Sequence, residues 1–99
     1  MNDKRSISIV IPVFNSEKTI YTLVENIISE LNKDYNLEII LINDCSLDNS
    51  ESECIRAFNN FSGKIKFYSL GKNVGEHSAV MAGFNYVFSE WVIIMDDDF

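Results

Sequence analysis

The 99-residue sequence predicts an α/β protein, a three-layer α/β/α sandwich around a mostly parallel sheet of about four strands. Three observations carry that prediction. Short apolar runs at residues 7–14, 37–42, 65–70 and 91–95 alternate with three segments of helical periodicity. The first two runs are apolar at nearly every position, as strands buried on both faces are. The connections are of ordinary length, so strands joined through helices should run parallel with right-handed crossovers.

The elements follow in order. The first strand should end near Pro12, which has no N–H to give to a ladder. Asn15 and Ser16 come next as candidate helix caps. Ile20, Leu23, Val24, Ile27, Ile28 and Leu31 then recur at helical spacing and predict a helix over about 17–33. Residues 34–36 are turn material, and the second strand ends in a polar loop over 43–50. In that loop Asp48, with Glu51 three residues on, resembles a capping box. Cys54, Ile55, Phe58 and Phe61 mark a second helix that Ser62 and Gly63 terminate. The third strand alternates polar and apolar residues, as an edge strand does. After a turn at 71–75, Val80, Met81, Phe84, Val87 and Phe88 mark a third helix. Ala79, Ala82 and Gly83 would let it approach the sheet closely. The fourth strand runs straight into Asp96, Asp97 and Asp98. If the third crossover reverses direction, the fourth strand lies beside the first, and the loops after Phe14 and Met95 flank a switch-point crevice.

Composition narrows the function. Fifteen acids against eight bases give a net charge of −7, the wrong sign for a nucleic-acid binder. It is compatible with a site that recruits a divalent cation, although most of those acids read simply as solvated surface. Cys45 and Cys54 are too few and too far apart for a zinc site or redox pair, and are expected to stay reduced. No signal peptide is evident and no apolar run approaches 18 residues, so a cytoplasmic location is expected. Membrane association is expected only through segments beyond these residues, at the cytoplasmic face.

The chemistry concentrates at strand ends. Asp96 and Asp98 are two apart, so in extended chain both carboxylates face one way and can share one ion. Mg²⁺ or Mn²⁺ favours such oxygen ligands, completed by phosphates and water. Taken alone, the acidic run reads equally as a solvated tail; the apolar strand before it favours the metal. Asp44, ending the second strand, could accept hydrogen bonds from a ribose or base, though turn-forming is the commoner use of such a residue. Lys72 and Asn73 could contact a nucleotide, and in a turn they also read as merely exposed. His77, the single histidine, reads as structural. The first strand-to-helix turn lacks the glycines of a dinucleotide fingerprint or P-loop, and no serine nucleophile elbow occurs.

Four segments together resemble a family: Ser8 to Asn15, Ile42 to Ser50, Asn73 to Gly75, and Asp96 to Asp98. In that order and spacing they are similar to the nucleotide-binding half of family 2 glycosyltransferases, which have the Rossmann-like GT-A fold and an Asp-x-Asp motif. The run from Lys72 to Phe84 is most similar to polyprenyl-phosphate glycosyltransferases, both dolichyl-phosphate mannose synthases and undecaprenyl-phosphate aminoarabinose-type transferases of the cell envelope, and closest to the latter. The resemblance implies an inverting transferase that binds a UDP- or GDP-sugar with Mg²⁺ or Mn²⁺ for transfer to a polyprenyl phosphate. A saccharide acceptor, or a non-catalytic nucleotide-binding fragment, is the alternative. Pro12, Val13, Phe14, Glu17, Asp44, Lys72 and Asp96 would form the donor nucleotide site, and Asp98 with Asp96 would ligate the metal. Asp97 would point the other way.

The sequence departs from the family pattern where a second acid is usual, at Asn43, where a glycine is usual, at Cys45, and where Ser16 separates Asn15 from Glu17. Residues 1–99 are thus expected to be the donor-binding part of a GT-A domain, truncated just after the Asp-x-Asp motif. The catalytic base and acceptor pocket are expected beyond residue 99, and these residues alone are expected to be inactive. A nucleotidyltransferase would want a glycine-rich basic loop after the first strand. A phosphate-receiver-like module would want its acids near the first and third strands. Neither pattern is present.

Overall fold

In the computed structural model, which describes residues 4–87 and 89–96, strands and helices alternate. They are β1 (Arg5–Val13), α1 (Ile20–Leu31), β2 (Tyr35–Asn43), α2 (Ser50–Asn60), β3 (Ile65–Ser69), α3 (Glu76–Phe84) and β4 (Trp91–Ile94). The four strands form one parallel sheet in the order β3-β2-β1-β4. The chain therefore winds outward from β1 through β2 to β3, then crosses back to lay β4 on the other side of β1. That reversal is the switch point the sequence made conditional.

Alternation along the central strands divides the core. Ile7, Ile9, Ile11 and Val13 of β1, with Leu37, Ile39 and Leu41 of β2, pack under α1 and α2. Val10, Ile40 and Ile42 face the opposite way and meet Ala79 of α3. Gly83 lets α3 sit close: a Cβ there would lie 2.6 Å from Val10 Cγ1 and 3.2 Å from Ile42 Cγ1. Further down this face runs a polar row. The fully buried Ser8 hydroxyl donates to the Glu38 carboxylate. Lys66 Nζ lies 2.8 Å from Glu38 and donates to the Tyr86 carbonyl at 3.0 Å.

Several boundaries differ from the sequence reading for identifiable reasons. β1 continues through Pro12 to Val13. The Val10 carbonyl accepts the Met95 N–H and the Val13 carbonyl accepts the Asp44 N–H, so even-numbered residues of β1 bond toward β4. Paired register with β4 stops at Val10 opposite Ile94. Pro12 faces β4's side just past that ladder, where its missing N–H forfeits nothing. β2 starts at Tyr35, inside the expected turn, because it pairs with the whole length of β1. α1 starts at Ile20 instead of near Glu17; the Ser16 carbonyl accepts the N–H groups of Thr19 and Ile20 in a preceding turn, and no side chain caps the helix. Asp48 forms an Asx turn to Ser50 ahead of α2 in place of a capping box with Glu51. α3 stops at Phe84, since Tyr86 is held against β3 by stacking on Tyr68 with ring centroids 3.7 Å apart. Val87 still packs against the α3-side core, and Phe88 lies outside the described residues.

β3 is an edge strand, as its alternation indicated. β4 is the other edge, and all four of its residues are exposed, Trp91 to 55%. Among the described residues no helix is long and apolar enough to cross a membrane.

Candidate functional site

A cleft of about 290 Å³ opens at the carboxyl end of the sheet, where β1 and β4 diverge. Its lining residues are Pro12, Val13, Phe14, Asp44, Asn73, Gly75, Glu76 and Asp96. The floor is the end of β1, where Pro12 and Val13 are buried and Phe14 emerges with 46% of its surface exposed. Asp96 enters just after β4. The opposite wall is the turn before α3 and that helix's first residue.

The loops that carry these residues are braced against each other. Asn15 and Cys45 both adopt left-handed backbone, at φ 52° and 55°, a conformation Asn tolerates better than most residues. The Asn15 N–H donates to Ser46 Oγ at 3.1 Å, and Asn15 Oδ1 accepts the Leu47 N–H at 2.9 Å. The Ser16 N–H donates to Ser50 Oγ at 2.6 Å, and the Glu17 N–H to Asp48 Oδ2 at 3.2 Å. Burial pushes the Asp48 carboxyl up, but the hydrogen bonds from the Ser50 hydroxyl and the Ser50 and Glu17 N–H groups outweigh it and hold the pKa below its ordinary value. The β1–α1 and β2–α2 loops are thus tied together beneath Phe14.

Asn43 and Asp44 turn in different directions. Asn43 is buried and builds its own surroundings: Oδ1 accepts the Ser46 N–H and hydroxyl, and Nδ2 donates to Ser69 Oγ at 3.0 Å. Asp44, 2% exposed, faces the cleft wall. Its Oδ1 accepts the Val74 N–H at 2.8 Å, and its Oδ2 accepts the Gly75 N–H at 2.9 Å and Asn73 Nδ2 at 3.2 Å.

Of the residues singled out from sequence, Pro12, Val13, Phe14, Asp44, Asn73 and Asp96 come together in this cleft. Glu17 is half-buried on the braced loop and Lys72 is exposed in the turn; neither lines the cleft. Asp97 and Asp98 lie outside the described residues. The sequence reading placed Gly75 in a family-like segment but gave neither Gly75 nor Glu76 a role in the site. A glycine directly before a helical stripe was the available signal, and Gly75 does adopt φ 90° at the N-cap of α3.

Among the described residues no three His, Cys, Asp or Glu side chains converge on a point that could hold a metal. The donor chemistry nevertheless suits a hard cation. Glu76 and Asp96 bring carboxylates to a lining that has no lysine or arginine, so a polyanionic ligand entering it would need a counter-cation.

Comparison with known proteins places this cleft in context. Residues 8–99 match the family described as Glycosyl transferase family 2. The chain is 36% identical over 97 residues to the undecaprenyl-phosphate 4-deoxy-4-formamido-L-arabinose transferase of Photorhabdus laumondii, which covers 95% of this chain and 29% of that protein. The chain thus spans under a third of that relative's length. Solved structures share the fold, S. aureus TarS and a Pyrobaculum calidifontis mannosyltransferase among them. S. aureus TarS 1-349 in complex with UDP-GlcNAc superposes with a TM-score of 0.75 at 23% identity, over 94% of this chain and 26% of that one. The mannosyltransferase PcManGT from Pyrobaculum calidifontis, in complex with GDP-Man and Mn²⁺, superposes with a TM-score of 0.76 at 19% identity, over 96% and 28%.

Proposed function

Since the chain belongs to glycosyl transferase family 2, we propose that it is the donor-binding part of an inverting, metal-dependent glycosyltransferase, whose cleft takes a UDP- or GDP-sugar for transfer to a polyprenyl phosphate. The observation that carries this reading is the cleft itself. It lies at the switch point of a parallel sheet, outside the carboxyl ends of the strands, and Asp44, Asn73 and Asp96, singled out for their chemistry, meet there with Pro12, Val13 and Phe14, which the family resemblance implied.

In this reading Phe14 offers an exposed aromatic surface to the base, with Pro12 and Val13 as the rigid floor beneath it. Asp44 and the turn it holds form the ribose side. Asp96 and Asp98 hold Mg²⁺ or Mn²⁺, which when bound neutralises the charge of the diphosphate leaving group. Lys72 and Glu17 complete the nucleotide-binding set from the rim. The polyprenyl-phosphate acceptor is supported by the name of the Photorhabdus relative. That acceptor is an anion at neutral pH and asks less of a general base than a sugar hydroxyl does. The donor domain is proposed to be one part of a larger enzyme, whose other parts supply the acceptor pocket and the base. The exposed apolar surface of β4 supports that arrangement.

Amide NMR of the 99-residue chain tests the reading. Titrating UDP or GDP with Mg²⁺ should shift Val13, Phe14, Gly75, Glu76 and Asp96. Shifts confined to other surfaces, or none with either nucleotide, would refute it.

A further inference from the structure

We infer that the turn at 71–75, α3 and β4 undock together from the rest of the fold as one unit, taking half of the cleft lining with them. This conformational device goes beyond the donor-site reading and does not depend on what the cleft binds.

The two parts are held very differently. β1, β2, α1 and α2 close over large, fully buried side chains, among them Ile9, Ile11, Ile20, Val24, Ile39 and Leu41. α3 buries only Ala79, Val80 and Gly83, and such small groups remove little apolar surface from water. β4 pairs with β1 along one edge, and its four residues are all exposed. Residues 71–78 are exposed as well. Regions with so little buried apolar surface open well below the global unfolding free energy.

Polar and aromatic contacts supplement this thin packing. At the cleft end, the Asp44 carboxylate accepts the Val74 and Gly75 N–H groups. At the far end, Tyr86 is latched to β3: its ring stacks on Tyr68, and its carbonyl accepts a hydrogen bond from Lys66 Nζ. Glu38 of β2 holds Lys66 in place, so the latch is anchored in the core part. The cleft lining divides along the same boundary. Pro12, Val13, Phe14 and Asp44 belong to the core part, and Asn73, Gly75, Glu76 and Asp96 to the undocking part. Undocking therefore takes the cleft apart while the core stays folded, and a ligand touching both halves selects the docked state.

Native-state amide exchange of the 99-residue chain, without nucleotide, tests this. Even-numbered residues of β1 bond toward β4 and odd-numbered ones toward β2. Val10 should therefore open with Val80 and Ala82 of α3, at one shared free energy and with a shallow urea slope. Ile9 and Ile11, its neighbours in the same strand, should open only with the core, at least about tenfold less often. Ile27→Val trims the core under α1, which the docked and undocked states share. It should speed exchange at Ile9 and Ile11 about fivefold and leave Val10, Val80 and Ala82 unchanged. Tyr86→Ala removes the stack on Tyr68 and should speed Val10, Val80 and Ala82 alike, about fivefold. Separate fraying of α3 and β4 would instead speed Val80 and Ala82 and spare Val10, and that result overturns the unit. A wild-type chain in which Val10 opens only with Ile9 overturns it too, as does an Ile27→Val variant that speeds all of these amides equally. If Tyr86→Ala does not fold, the wild-type comparison and Ile27→Val decide.

Discussion

The close approach of α3 to the sheet sets where the cleft wall stands, and Gly83→Ala tests it. The substitution puts opposing effects in one methyl group. Alanine in a helix interior is favoured over glycine by about 0.8–1.0 kcal/mol. Against this, the new Cβ would lie 2.6 Å from Val10 Cγ1, roughly 1 Å inside the ordinary carbon–carbon separation of about 3.5–4.0 Å. Val10 cannot swing aside. It is β-branched, fully buried and held in a central strand between β2 and β4. Overpacking of this kind costs about 1–3 kcal/mol, so the net expectation is a loss of about 1 kcal/mol, with packing winning over propensity. In urea, at a slope of about 1.5 kcal/mol/M, the midpoint should fall by roughly 0.7 M. Gly71→Ala is the control, because a Cβ there meets nothing within 4 Å; it should leave the midpoint nearly unchanged. A Gly83→Ala midpoint at or above wild type would show that α3 does not rest on Val10 as described.

Other expectations follow from the polar groups. Asp48→Ala removes the acceptor of three donors and should destabilise the fold by about 1–2 kcal/mol at neutral pH. Because the folded pKa of Asp48 is depressed, its contribution is fully present above the unfolded value, near 3.8, and is lost as pH falls through the folded value. The gap between wild type and Asp48→Ala in urea should therefore narrow in acid below that range and stay constant above it. Glu38→Ala takes the acceptor from the fully buried Ser8 hydroxyl and should cost about 1–3 kcal/mol in the same assay, whereas Ser8→Ala, which removes the buried donor itself, should cost less. Phe14→Ala should weaken nucleotide binding in calorimetry by about 1–3 kcal/mol if a base stacks there, with the urea midpoint little changed because the ring is half exposed.

The architecture was legible because it depends on local periodicity. The apolar runs of β1 and β2 and the stripe from Ile20 to Leu31 each report an environment that a short window can reveal. The placement of β4 was legible only as a condition, since nothing in Trp91 to Ile94 states which neighbour the strand takes. Boundaries moved where tertiary contacts overrode local chemistry. Pro12 stays in its strand because β4 has already ended, and α3 stops early because Tyr86 is held by Tyr68 and Lys66. The site followed the same division. Phe14, Asp44 and Asp96 could be picked out as strand-end residues, a position visible in one dimension. The contacts of Asp44 with Asn73, Val74 and Gly75 bridge some 30 residues and have no local signature. Asn43, which stands where the family pattern has a second acid, is occupied by Ser46 and Ser69.

The central claim is that the cleft binds a nucleoside diphosphate together with a divalent cation. Calorimetric titration of the 99-residue chain with UDP, GDP and ADP, each with and without Mn²⁺, tests it most directly. The account predicts uridine or guanosine binding that requires Mn²⁺ and disappears in Asp96→Ala and Asp98→Ala. Equal binding of all three nucleotides, or binding indifferent to Mn²⁺ and to both substitutions, would contradict it.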